Sequence, residues 1–393
     1  MEKQFDIVIV GIQPWDIEIG SNCKNMAMEF SKKHRVLYVN SCLDRITSLK
    51  NGNKESVAKR KQVIKNKAIE LERINPNLWV LTPDCLIESI QFLPTSIFKI
   101  FNHINNKRFA KAIRKGIQKL SFSNYILFND SDMFRSFHLK ELLQPAKYIY
   151  YTRDNLMTVP YWRKHGETME KELMQKADLV VGNSPYLIAE AKKYNSNSFF
   201  IGQGCDVSSF MQNDIAKPED LKALEGTIVG YTGLLSSRRL DIELLTFLAE
   251  KEKDIHFVLI GPEENCFKSS KLHQLSNVHF LGNKSPEELP NYIQHFDICI
   301  NPQIINELTE ANYPRKIDEY LAAGKPIVAT KTPTMEIFKE VVYLAKEKEN
   351  FLSALKTAKS ENSIEKIIQR QKTALNHTWE NCISNFWLSI QTI

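Results

Sequence analysis

Asn312-Tyr-Pro-Arg-Lys-Ile-Asp-Glu-Tyr-Leu-Ala-Ala-Gly-Lys-Pro-Ile-Val-Ala-Thr330 is the stretch on which the fold turns. Asn312 has the side chain of an N-cap, Pro314 suits a first helical turn, and Leu321 and Ala322 continue an apolar face. Gly324 then ends the helix and Pro326 opens an apolar strand. The expectation is a short helix feeding a buried strand. Backbone N–H groups at its start, on Tyr313, Arg315 and Lys316, and the positive end of its dipole suit an anion such as a diphosphate. Glu319, one turn further in, is placed to accept two O–H donors, as a carboxylate does from a ribose. The plain alternative is a capped surface helix with Glu319 in solvent.

Working outward, the strand at 326–329 belongs to a series. Apolar, β-branched or aromatic runs at 228–231, 256–260, 278–281 and 297–300 precede it, and 341–344 follows. A second series at 5–10, 35–40, 78–82, 125–128, 147–151, 179–182 and 198–201 alternates with helix-period segments at 22–33, 96–120 and 168–176. Such alternation predicts parallel sheets covered on both faces. The fold class is therefore α/β, with two Rossmann-like domains facing across a cleft. The polar stretch 211–226 separates them, giving an N-terminal domain over 1–212 and a C-terminal domain over 213–370. A last helix over 371–393, carrying Trp379 and Trp387, is expected to cross back to the first. Ligands of such sheets bind beyond the carboxyl ends of the strands, so the loops there are the places to look for chemistry.

Composition agrees with a soluble globular protein: 393 residues, 43% hydrophobic and 25% charged, which excludes a disordered or collagen-like chain and a polytopic membrane protein. The start runs from Met1 straight into Ile7-Val-Ile-Val10 without a basic leader, and the apolar stretch 90–101 is broken by Pro94 and Lys99. A cytoplasmic chain without a membrane span is expected. Seven cysteines without metal spacing read as reduced thiols.

The stretch around Glu319 resembles the donor-site signature of GT-B glycosyltransferases of the retaining, glycogen-synthase-like superfamily, and within it the bacterial teichuronic acid glycosyltransferases. Val10-Gly-Ile-Gln-Pro-Trp-Asp16, Ala177-Asp-Leu-Val-Val-Gly-Asn-Ser184, Gly230-Tyr-Thr-Gly233 and Phe257-Val-Leu-Ile-Gly261 fall in the family's order. The resemblance implies that Glu319 holds the ribose and that Arg239, after the glycine turn at Gly233, meets the diphosphate. Gly233, Gly261, Leu281, Asn312, Tyr313, Arg315 and Lys316 complete the implied donor site. There are two departures. Leu234 stands where relatives often have an arginine, and Ala311 where many have a glutamate that contacts the donor sugar. Glu310, its neighbour, is the candidate substitute, or else it only favours the N-terminus of the following helix.

In the first domain, Tyr150-Tyr-Thr-Arg-Asp154 ends a strand, which makes Arg153 and Asp154 candidates near the sugar and acceptor. An internal salt bridge is the competing reading. The loop from Gly11 to Gly20, with Trp15 and Asp16, is expected on the acceptor side, and His165 is expected to be structural. Asp130-Ser-Asp132 imitates a metal-binding DxD. Asp132 is equally a helix cap, and the two-domain pattern puts the nucleotide in the second half.

Residues 1–212 hold 31 Lys+Arg against 21 Asp+Glu, and residues 44–120 alone hold 16 against 6. Within them, 96–120 forms a basic amphipathic helix whose apolar series includes Ile97, Phe98, Ile100, Phe101, Ile104, Phe109 and Ile113. Such a helix either packs its apolar face in the core or lies on anionic lipid. A nucleic-acid partner is not expected, since no recognition motif accompanies the charge.

The reading is a metal-independent glycosyltransferase moving a sugar from a nucleotide-diphosphate donor to a glycan or polyprenyl-diphosphate-linked acceptor in surface polysaccharide assembly. It needs no tightly bound cofactor and suits the inner face of the membrane. The alternatives are a non-catalytic, glycosyltransferase-like nucleotide-binding or scaffold protein, and a nucleotide-sugar epimerase.

Overall fold

The computed structural model describes residues 5–17, 20–51, 54–212 and 215–393. Parts of the Gly11–Gly20 loop and of the 211–226 stretch, and the first four residues, lie outside them. The chain divides into two compact units. One runs to Ile201 and takes in Ile383–Ile393, and the other is Gly202–Cys382.

The first unit is built on an eight-stranded sheet. Its strands are β1 (Asp6–Gly11), β2 (Arg35–Val39), β3 (Glu70–Asn75), β4 (Leu78–Thr82), β5 (Ile126–Asp130), β6 (Lys147–Thr152), β7 (Leu179–Gly182) and β8 (Ser198–Phe200). They lie in the order β8-β7-β6-β5-β1-β2-β4-β3, all parallel except the β3–β4 pair. β1 reads Asp-Ile-Val-Ile-Val-Gly and is buried throughout, as a central strand covered on both faces must be. Sequence reading missed β3, because this edge strand alternates Glu70, Glu72 and Arg73 with apolar residues, and charge on an edge resembles a loop. One face of the sheet is covered by α1 (Thr95–Lys119) and α2 (Pro160–Lys176), which pack Phe98, Phe109, Ile113, Met169 and Leu173 with Val8, Leu37 and Leu127.

The second unit has a six-stranded parallel sheet. It comprises β9 (Thr227–Thr232), β10 (Ile255–Ile260), β11 (Val278–Phe280), β12 (Ile298–Asn301), β13 (Ile327–Thr330) and β14 (Tyr343–Ala345), in the order β11-β10-β9-β12-β13-β14. Val258, Ile260, Cys299 and Ala329 pack on one face with Ile317, Tyr320 and Leu321, while Val229, Leu259, Ile300 and Val328 pack on the other with Leu244 and Leu248.

The helix expected from Asn312 is two helices. α3 (Glu307–Ala311) is closed at its start by a reciprocal capping box between Asn306 and Thr309, and α4 (Lys316–Ala322) begins after a break. Asn312 therefore ends α3 rather than capping α4, which corrects the sequence reading. Pro314 is the cause, since its ring disfavours helical geometry at the residue before it, so Tyr313 cannot join the following helix. Glu310 likewise belongs to the first turn of α3 and not to the start of α4. The last helix, α5 (Trp379–Ile390), contains the residues at which the chain passes from the second unit into the first. Among the described residues no helix is long and apolar enough to cross a membrane.

Candidate functional site

Three loops meet beyond the carboxyl ends of β9, β10 and β11. Gly233 follows β9 with φ +133°, and Gly261 follows β10 with φ +144°, a region that side chains with a Cβ avoid. A Cβ on Gly261 would stand 2.0 Å from the Gly233 carbonyl oxygen. The two turns are pressed together by hydrogen bonds from Gly233 N to Ile260 O (2.8 Å) and from Leu235 N to Pro262 O (2.9 Å). The third loop joins them through Gly261 N to Gly282 O (2.8 Å) and Leu281 N to Leu259 O (3.1 Å).

α4 carries two of the candidate side chains and brings the first of them, Lys316, to this platform. Lys316 sits over the Tyr231 ring, its Nζ 4.6 Å from the centroid and donating to the Tyr231 hydroxyl at 3.1 Å. It also lies 3.3 Å from where a Cβ on Gly233 would be. Glu319, one turn on, is only 12% exposed and is met by Arg315 Nε at 3.4 Å. Burial pushes its carboxyl above the usual range, against the opposing charges of Arg315 and Lys316. A buried carboxylate with so little hydrogen bonding is an acceptor with unused capacity. Arg239 lies six residues after Gly233, its backbone N–H donating to Ser236 O at 3.0 Å. Its backbone accepts from Ile304 N at 3.1 Å, while its guanidinium has no carboxylate partner among the described residues. A two-turn helix carries little dipole, so the Lys316 ammonium beside Gly233, rather than the start of α4, is the positive charge available there to an anion.

What holds α4 in place could not be read from local sequence. The Tyr320 hydroxyl accepts from Thr232 N at 2.8 Å, fixing the helix to the end of β9. Asp318, fully buried, accepts from the Tyr313 hydroxyl (2.9 and 3.1 Å) and pairs with His377 Nδ1 at 2.7 Å. Burial raises the Asp318 carboxyl, against the pull of His377 and Tyr313. Tyr313 is thus a buried support and Arg315 an exposed flank. The positions that depart from the family pattern differ in setting, since Ala311 is fully buried and Leu234 is exposed.

In the first unit, Arg153 is the hub of a buried ion network. Its guanidinium donates to Asp130 (2.8 Å), Asp154 (2.8 Å) and Gln13 (3.2 Å), the internal salt bridge that the sequence left open. Asp154 remains 37% exposed at its edge. Gly11 packs on Asp130, where an added Cβ would meet the Asp130 side chain at 3.1 Å. Asp16 is gripped by both Arg60 nitrogens at 2.7 and 2.8 Å, and Trp15 packs edge-on against Tyr38. Asp132 takes Arg135 Nε at 2.8 Å and the Arg135 backbone N–H at 3.0 Å. Both carboxylates of the DxD are therefore engaged by arginines. His165 bonds Gln91 O and Thr95 and stacks on Phe98 at 4.0 Å, a structural role.

Two Rossmann-like units with loops gathered at the strand ends define the GT-B fold. Over 99% of both chains, the structure superposes on sucrose-phosphate synthase from Thermosynechococcus elongatus (TM-score 0.68, 14% identity). Over the whole of both chains, it superposes on Anabaena HepE in complex with UDP (TM-score 0.65, 14% identity). Residues 227–367, which hold Gly233, Lys316 and Glu319, match the glycosyl transferases group 1 family. The chain is also 29% identical, over 243 residues, to the putative teichuronic acid biosynthesis glycosyltransferase TuaH of Bacillus subtilis (strain 168). That match spans 59% of this chain and 60% of the relative.

Proposed function

We infer that the chain is a glycosyltransferase of polysaccharide biosynthesis that takes its sugar from a nucleoside-diphosphate donor bound in the second unit. The observation that carries this reading is the juxtaposition of the Gly233–Gly261 platform, the Lys316 ammonium and the underused Glu319 carboxylate on one short helix. Glu319 accepts the two ribose hydroxyls, which satisfies its buried oxygens. The flat glycine turns let the diphosphate approach the backbone closely, and Lys316 and Arg239 compensate the charge that builds on it as the glycosidic bond breaks. Supplied by the chain itself, this charge removes the need for a metal. HepE crystallised with UDP and with UDP-glucose, which makes a uridine donor the first to try. By resemblance, transfer retains the anomeric configuration. The acceptor is a glycan hydroxyl, lipid-linked through a diphosphate, presented on the first unit near Asp154, with Arg153 fixing that carboxylate.

Incubation with UDP-glucose and other nucleotide sugars, beside a polyprenyl-diphosphate-linked glycan, tests the proposal. One nucleoside diphosphate should appear per sugar transferred, and Lys316→Ala should slow transfer by about a hundredfold. Nucleotide binding without a glycosylated product would favour the second reading, a non-catalytic nucleotide-binding protein, to which the buried Ala311 in place of a sugar-contacting glutamate points. An altered donor sugar without acceptor would instead mark an epimerase.

A further inference from the structure

Apart from Phe98, the first half of α1 buries polar residues and exposes apolar ones. Asn102, Asn105 and Asn106 are buried, whereas Ile97, Ile100, Phe101 and Ile104 are between 40% and 64% exposed. The asparagines are held by main-chain partners. Asn102 and Asn106 donate to Phe134 O, Asn105 exchanges two hydrogen bonds with the Glu88 backbone, and Asn106 accepts from His138 N. These bonds fix the rotation of the helix and leave its isoleucines outward. The four exposed residues follow an i, i+3, i+4, i+7 stripe, and Phe92, 71% exposed, extends it beyond the helix start.

Continued along the same face, the stripe becomes Lys107, Arg108 and Lys111. Lys107 and Lys111 are exposed and have no protein partner among the described residues. Lys164 adds a cation at the other end, its Nζ donating to Phe92 O at 2.8 Å. Residues 91–119 contain seven Lys+Arg and no Asp or Glu. A single outward face with an apolar half and a basic half, in which Arg108 is paired with Glu88 at 3.0 Å and Lys107 and Lys111 carry the unpaired charge, fits an interface of apolar interior and anionic surface.

We propose that this face of α1, with Phe92, docks the protein on an anionic lipid bilayer, the apolar stripe entering the acyl boundary and Lys107 and Lys111 meeting the headgroups. The proposal deepens the lipid-linked acceptor of the functional reading but is tested without any transfer. The full chain is sedimented with phosphatidylcholine vesicles and with vesicles containing ~30% phosphatidylglycerol. The chain should pellet with the anionic vesicles, less so at high salt, and not with phosphatidylcholine alone. Ile100→Ser/Phe101→Ser and, separately, Lys107→Glu/Lys111→Glu should each weaken capture by about tenfold or more, with near-ultraviolet circular dichroism unchanged. No binding to anionic vesicles would overturn the proposal. So would capture indifferent to both pairs of substitutions, or a dimer in solution that Ile100→Ser/Phe101→Ser dissolves. UDP titrated into the same samples keeps the two readings apart, since loss of vesicle capture with UDP binding intact condemns only the docking face.

Discussion

Glu319 and Gly233 were singled out from local spacing, and Gly261 and Lys316 from the family resemblance, and the structure places Gly261 and Lys316 against Gly233. The Asp318–His377–Tyr313 cluster was not. Asp318 and His377 are 59 residues apart, and only the packed fold brings them to 2.7 Å. Arg153 shows a third case, in which the residue was found but two roles stayed open until its three acceptors were seen. Glu170 was not singled out at all. It receives the Tyr150 hydroxyl at 2.8 Å, and burial pushes its carboxyl from 4.5 up to about 7. Because the folded value is raised, its favourable contribution is complete below pH 4.5 and is lost as pH rises through 7. Glu170→Gln should therefore stabilise the protein at pH 8 by about 3 kcal/mol, with the gain vanishing below pH 4.5. Thermal unfolding of both proteins across that range checks the sign.

Helical period correctly marked α1, but it grouped Ile97, Ile100, Phe101 and Ile104 with the core residues Phe109 and Ile113. Periodicity counts apolar residues and cannot know that three asparagines will find main-chain partners, and those partners decide which face turns inward. The ordinary ranking of substitutions is consequently reversed in the first half of this helix. Asn106→Leu removes the acceptor of His138 N, leaves Phe134 O with the Asn102 bond, and should cost about 2 kcal/mol. Ile100→Ser should change stability by less than about 0.5 kcal/mol. Urea unfolding of the two variants measures the contrast directly. The break between α3 and α4 has a similar origin, since Asn312 has the right chemistry for a cap but Pro314 forbids the helix from starting there.

Over the whole chain, alternation of strand and helix was enough to recover two Rossmann-like units, because buried parallel strands are continuous apolar runs. Which residues close each core was harder to read, since the last helix contributes to a unit nearly two hundred residues upstream. Phe386 is fully buried, packing edge-on against Phe30 at 5.0 Å and Phe128 at 5.8 Å, and Trp387 stacks on Phe5 at 5.2 Å. Phe386→Ala should accordingly cost about 3–5 kcal/mol, seen as a lowered urea midpoint of the first unit's near-ultraviolet signal.

We propose a nucleoside diphosphate held by Glu319 and by Lys316 beside the Gly233 turn. Calorimetric titration with UDP in the presence of a chelator, and then with GDP, ADP and CMP, tests it most directly beside Glu319→Ala. One diphosphate nucleotide should bind without added metal, and the substitution should weaken it about tenfold or more, a loss of ~1.4 kcal/mol. Binding by none of the four, or equal binding by the wild type and Glu319→Ala, would contradict the account.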